Sequence, residues 1–489
     1  MPAHADVDGF RWPADRRPAP APPAPRATDW QVVVRRVLLV LGLVVSAAIY
    51  LAPLPDGLTP EGKRAFAIFV LGTTLWVTNA LPFGVTGLLA VALLGLTGAM
   101  APVDAFAAFG NPAVFFLIGV FVLAAALISS GLSKRCALLF LHRFERSPYK
   151  FATGMALAAT FGTVWMPAQA TTAMLFPIAL EVALALRLRP RESSYAKVLF
   201  LSLAWGAMVG STASFLGSTR AALALGMLHR AYGATIPFAD WVLAAFPVVL
   251  LGALAIPLIL RAIFPYEAVD FSAARRVLEE AVSELGPMGA RQAKTLVIVL
   301  LTVAAWVWFG ARIDLAVIAL LGAVALFAAG VLKWEEAESQ IYWNIVLMYG
   351  GAIALGVVID QTGAARWLIT SVLGDVTVPP YVAVAGVAAA SLLLSEFMSN
   401  AAAVAVILPL AFSLGDQLGA SPVALVLATT TGAGLDFALP FSSAPNTIVF
   451  ASGYLRMIDV VKAGAVMTLT SLLILLVVAR VWWPFLGIL

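Results

Sequence analysis

The chain has 489 residues, 62% of them hydrophobic and only 11% charged, with a mean hydropathy of +0.97 and a formal net charge of +4. A soluble domain is about half apolar and a quarter charged, so this is an integral membrane protein, and the small positive balance serves membrane orientation rather than nucleic-acid binding. The single cysteine, Cys136, excludes an internal disulfide, and the three histidines (His4, His142, His229) do not stand at metal-ligand spacing.

Residues 1–34 are rich in Pro, Ala and Arg and lack both the apolar core and the cleavage pattern of a signal peptide. They read as a disordered cytoplasmic tail. A first apolar run, 37–54, makes 35–61 an extra N-terminal span. A first repeat then covers 62–264. Its spans lie near 64–82, 84–101 and 112–131, followed by a basic amphipathic stretch 132–146 that suits an interface. An interrupted hairpin 151–187, an interrupted span 194–231 and a span 240–264 complete it. The polar stretch 265–293 is a cytoplasmic connector. The second repeat, 294–489, has spans near 294–310, 313–331 and 341–362, a short stretch 364–374, a hairpin 381–414, an interrupted span 420–453 and a span 461–485. The fold class is therefore an all-α polytopic membrane protein of about 11 spans. No alternating ten-residue pattern of a barrel is present.

The duplication is visible at an offset of 232 residues, which sets Met166 on Met398, Pro177 on Pro409, Trp76 on Trp308, Asp104 on Glu336 and Gly131 on Gly363. Five crossings and one re-entrant hairpin per copy require the second copy to enter the membrane inverted. Charge agrees. With a cytoplasmic N-terminus, Lys134, Arg135, Arg143, Arg146, Lys150, Arg187, Arg189 and Arg191 fall inside, as do Arg275, Arg276, Arg291, Arg456 and Lys462. Inverted repeats with interrupted helices are the pattern of a secondary transporter whose site lies near the bilayer midplane.

Four interruptions should converge: 167–169, 217–220, 399–400 and 442–446. N-terminal ends of half-helices favour anions, while exposed carbonyls favour cations. Asn400 and Asn446 can offer amide donors to a carboxylate or sulfate, with Ser218, Thr219, Arg220 and Ser443 beside them. Ser395, Ser399, Asn400 and Ser442 can supply oxygen ligands to sodium. The competing reading is that Ser and Thr here pack helices closely. Arg220 and Asp436 are charges at membrane depth, which cost free energy unless they face a cavity or partner. They are the coupling candidates. Asp436 pairs with Arg220 or carries a proton, with the ion pair preferred; Arg220 otherwise snorkels to water. Glu396 reads as structural.

The motifs FGNPAVF (109–115) leading to SGL (130–132), EFMSN (396–400), and APNTIVF (444–450) with Gly453-Tyr454 resemble the divalent-anion/sodium symporter (DASS) family of dicarboxylate, citrate and sulfate transporters. The resemblance runs from Gly62 to the end. It implies a homodimer, a scaffold, a mobile transport domain and elevator-type alternating access. Two departures stand out. The family's Ser-Asn-Thr at each hairpin tip is Ser399-Asn400-Ala401 in the second and Pro167-Ala168-Gln169 in the first. The Gly-Thr-Pro-Pro-Asn type loop reads Gly217-Ser218-Thr219-Arg220-Ala221. Gln169 then stands where the family has a substrate-binding threonine, and Arg220 occupies or neighbours the cation site that the first tip has lost.

The expected activity is secondary active transport of a small anion, di- or tricarboxylate or sulfate-like, across the cytoplasmic membrane, coupled to sodium or by exchange. No organic cofactor is called for. Alternatives are an oxyanion, arsenite or silicate carrier, a proton-linked antiporter, or a passive channel. An intramembrane enzyme is disfavoured because neither HExxH, nor G-x-S-x-G, nor an embedded histidine pair occurs.

Overall fold

The computed structural model describes residues 29–374 and 377–489, and among them every regular element is helical. The tail expected at 1–34 falls mostly outside the described residues. After α1 (Asp29–Leu51) come α2 (Pro60–Thr78), α3 (Phe83–Leu96), α4 (Pro102–Ala107), α5 (Pro112–Ser129), α6 (Leu132–His142), α7 (Pro148–Gly162), α8 (Ala168–Ala185), α9 (Ser194–Gly210), α10 (Thr219–Tyr232) and α11 (Phe238–Ile263). The connector forms α12 (Ser272–Ser283). Then follow α13 (Ala290–Phe309), α14 (Leu315–Ala328), α15 (Trp334–Glu338), α16 (Trp343–Gln361), α17 (Ala364–Leu373), α18 (Pro380–Ser395), α19 (Asn400–Leu418), α20 (Pro422–Gly432), α21 (Ala444–Phe450) and α22 (Met457–Val481). The series α2–α11 and α13–α22 correspond in order. The starts of α3, α6, α7 and α8 precede those of α14, α17, α18 and α19 by 232 residues each.

Apolar composition makes these segments helical because a chain in lipid must satisfy its own backbone. The ends are set by local chemistry. Thr59, Asn111, Ser147 and Ser421 each cap a helix through a side-chain oxygen, with proline in the first turn. Gly131 and Gly363, at φ 73° and 70°, turn the chain from α5 into α6 and from α16 into α17.

Among the described residues seven helices are long and apolar enough to cross a membrane, and five more apolar helices run 10–17 residues. The shorter ones include α9, α18 and α20, which belong to the interrupted segments. The longer helices α13 and α22 expose Leu300, Leu301, Leu469 and Leu473, an apolar surface suited to lipid.

Helix pairs recur across the two halves: α3 packs on α16 and α5 on α14, α7 on α9 and α18 on α20, α8 on α21 and α19 on α10. Contacts between loops fall into two groups. In one, Arg135 donates to the carbonyls of Leu285, Gly286 and Pro287, Glu267 accepts from Ser193 and Tyr195, Arg291 reaches Val331 and Glu336, and Tyr195 donates to Pro148 at the mouth of the α7–α8 hairpin. In the other, Asn111 donates to Gly226, Trp367 to Asp56, and Tyr232 to Asp416 at the mouth of the α18–α19 hairpin.

Candidate functional site

The two hairpins and two broken helices supply four half-helix starts. Three are capped by the serines the sequence singles out. Ser218 Oγ accepts from Ala221 N at 3.3 Å to open α10, Ser399 Oγ from Ala402 N at 3.3 Å to open α19, and Ser443 Oγ from Asn446 N at 3.4 Å to open α21. The fourth, α8, starts after Pro167 with no side-chain cap, leaving its first backbone donors without one. Ser443 also touches Met208 Sδ at 3.3 Å, so the start of α21 rests on the last turn of α9.

Arg220 leaves the first turn of α10, only 6% exposed, and turns its guanidinium toward the opposite kind of helix end. Its Nε donates to Thr430 O at 2.7 Å and its Nη2 to Ser211 Oγ at 3.2 Å. Ser211 is the C-cap of α9. The Thr430 carbonyl is one that α20 leaves over as it ends, because Ala433 N bonds Thr429 O and Gly434 N bonds Thr431 O. A Cβ at Gly434 would fall on the guanidinium, so only glycine lets it approach. One side chain from the first repeat thus joins the C-terminal ends of both broken helices.

The ion pair expected between Arg220 and Asp436 is not formed: among the described residues Arg220 makes no carboxylate contact within 4 Å, and its hydrogen bonds go to a carbonyl and a hydroxyl instead. Asp436, fully buried, accepts from Asn400 Nδ2 at 3.1 Å through Oδ1, while its Oδ2 has no hydrogen-bond partner. Asn446, 1% exposed, donates through Nδ2 to Leu439 O at 3.2 Å, and its Oδ1 is likewise without a partner. Asn400 and Asn446 are therefore brought onto the same loop, residues 433–443.

Glu396 holds that loop. One oxygen accepts from Ala438 N at 3.0 Å and Thr468 Oγ1 at 3.1 Å, the other from Leu439 N at 3.1 Å. Ser442 Oγ donates within the loop to Asp436 O at 2.7 Å and Leu439 O at 2.9 Å, and Ser395 Oγ donates to Leu392 O of its own helix at 2.9 Å. Gln169, at the first tip, stands against the hydroxyl of Tyr342, whose ring lies edge-on 5.2 Å from Phe121. Thr219 and Arg220 face the buried Tyr349 of α16. Sequence reasoning missed Thr430, Tyr342 and Tyr349, and it left Ser211, with Thr171, Thr172 and Thr212, at least as readily a helix-packing residue as a functional one; the contact with Arg220 is what singles Ser211 out. A cavity of about 220 Å³ lies elsewhere, among Asn111, Phe116, Leu225, His229 and Arg312, and none of the predicted site residues lines it.

The family model "Sodium:sulfate symporter transmembrane region" matches residues 34–489. The chain belongs to this family. Its relatives include the sodium-dependent dicarboxylate transporter SdcS of Staphylococcus saprophyticus, 26% identical over 477 residues (92% of each chain). A Haemophilus influenzae protein called an uncharacterized transporter is 25% identical over 441 residues, 87% of this chain and 92% of the other. Among solved structures, the Alcanivorax borkumensis YdaH transporter aligns with a TM-score of 0.53 at 17% identity, over 93% of this chain and 98% of that one. That likeness concerns the fold alone. As a sodium:sulfate symporter family member, the chain is a polytopic secondary transporter of small anions and not an enzyme.

Proposed function

We propose that this symporter-family protein carries a small dianion, a dicarboxylate first, into the cell with sodium, and that α7–α10 and α18–α21 move as one body against the rest. The observation that carries this reading is the meeting of Asn400 and Asn446 on the loop of a broken helix, with half-helix starts and a buried charge of each sign around them. Helix starts and amide groups suit a carboxylate, and the charges suit ion coupling. The relative SdcS is a sodium-dependent dicarboxylate transporter. Two copies are supported by the matching order of α2–α11 and α13–α22 at a 232-residue offset, and an odd number of crossings in each copy makes the second inverted. The group of loop contacts holding Arg135 and Arg291 is cytoplasmic on this reading.

The test is uptake of labelled succinate, citrate, sulfate and phosphate into proteoliposomes under an inward sodium gradient. We expect saturable uptake and counterflow of at least one dianion. Asn400→Ala and Asn446→Ala should each lower it on the order of tenfold, the effect of losing a hydrogen bond to a charged ligand. Flux that neither saturates nor exchanges would instead describe a channel.

A further inference from the structure

We propose that the two buried charges divide the work of ion coupling, with Arg220 a tethered cation standing in for a mobile one and Asp436 holding the single exchangeable sodium. This rests on the transport reading above. Ends of half-helices that point their carbonyls into the membrane carry partial negative charge and attract cations. Here α9 and α20 both end inside the protein, and one guanidinium meets them both through Ser211 Oγ and Thr430 O. A guanidinium stays protonated, so this charge cannot leave during a transport cycle. It also fills the space, lying where any side chain at Gly434 would have to go. A mobile ion is excluded from that place.

The loop between α20 and α21 is built differently. Asp436 Oδ2, in this loop, and Asn446 Oδ1, in the first turn of α21 and tied to the loop through Leu439 O, are buried acceptor oxygens with no hydrogen-bond partner, and buried acceptors of this kind require one. A small hard cation takes oxygen ligands of that type. Glu396 is committed elsewhere, because its oxygens already accept from two backbone amides and Thr468. Asn400 fixes the carboxylate to the tip of the second hairpin, so an ion held by Asp436 would sense that hairpin's position.

The experiment is a sodium titration of succinate uptake in proteoliposomes, with choline replacing sodium, on wild type and on Arg220→Lys, Arg220→Gln, Asp436→Asn and Asp436→Glu. Wild type and Arg220→Lys should rise with sodium with a Hill coefficient of about one. Arg220→Gln should lose on the order of tenfold of its uptake at limiting sodium, as removal of a charged hydrogen-bond donor predicts, and recover with a steeper sodium dependence as a second ion enters. Asp436→Asn should no longer respond to sodium, and Asp436→Glu should keep a response. A wild-type Hill coefficient of two or more, an Arg220→Gln curve equal to wild type, an Arg220→Lys as impaired as Arg220→Gln, or an Asp436→Asn that responds normally each overturns the proposal. If succinate is not carried at all, the transport reading fails on that substrate, and the charges are judged by thermal stability. Sodium should then stabilise wild type and Arg220→Lys over choline, and not Asp436→Asn; no effect on wild type, or an equal effect on Asp436→Asn, overturns the assignment.

Discussion

Glu396 shows how a single buried carboxylate can be structural. Its two oxygens receive three donors, two of them backbone N–H groups of the loop between α20 and α21, which has no helical partners to offer them. Replacing it with alanine should destabilise the detergent-solubilised protein by about 2–4 kcal/mol, because two buried amides lose a charged acceptor. Glu396→Gln keeps one acceptor oxygen and should cost less. Thermal unfolding of the two variants checks the order, and equal stability would mean that the loop finds other partners. Arg220 differs in kind. Its donors also end on helix-terminal acceptors, but it comes from the other half of the chain and so ties two breaks together.

At the scale of helices, close approach decides where the broken segments sit. A Cβ at Gly206 of α9 would fall inside the carbonyl of Ala156 on α7, and one at Gly432 of α20 inside the carbonyl of Ala388 on α18. Residues 156 and 388 are again 232 apart, so both halves use small residues to bring a hairpin against its broken helix, as membrane packing favours. Gly206→Ala and Gly432→Ala should each cost about 1–3 kcal/mol by overpacking. Gly386→Ala, in the same α18 with nothing near its Cβ, should be neutral or slightly stabilising. Melting temperatures of the three variants check this, and a tolerant Gly206 would argue that α7 and α9 separate easily.

For the whole molecule the decisive expectation is that the hairpins open on opposite faces of the membrane. Cys136 is exposed and would react, so the measurement begins from Cys136→Ser. In that background a cysteine replacing Lys150, at the mouth of α7–α8, and one replacing Gln417, at the mouth of α18–α19, should be labelled by a membrane-impermeant maleimide from opposite sides of intact cells and inverted vesicles. Labelling of both from one side would contradict the inverted arrangement and remove the reason for the two breaks to meet at mid-depth.

Composition and periodic apolar runs determined that this chain is a helical membrane protein, and the 232-residue offset made its doubling legible, because both depend only on the order of residues along the chain. The interrupted segments were legible too, through the small polar residues that replace apolar ones at 217–220, 399–400 and 442–446. Which atoms satisfy one another was not. The sequence suggests that Arg220 and Asp436 pair as opposite charges in lipid, yet folding gives Arg220 to Thr430 O and Ser211 Oγ, and Asp436 to Asn400. Orphan carbonyls at a helix end are invisible in a string of letters, since they belong to the backbone. Only the tertiary structure, by bringing the ends of α9 and α20 to one side chain, decided what that buried cation serves.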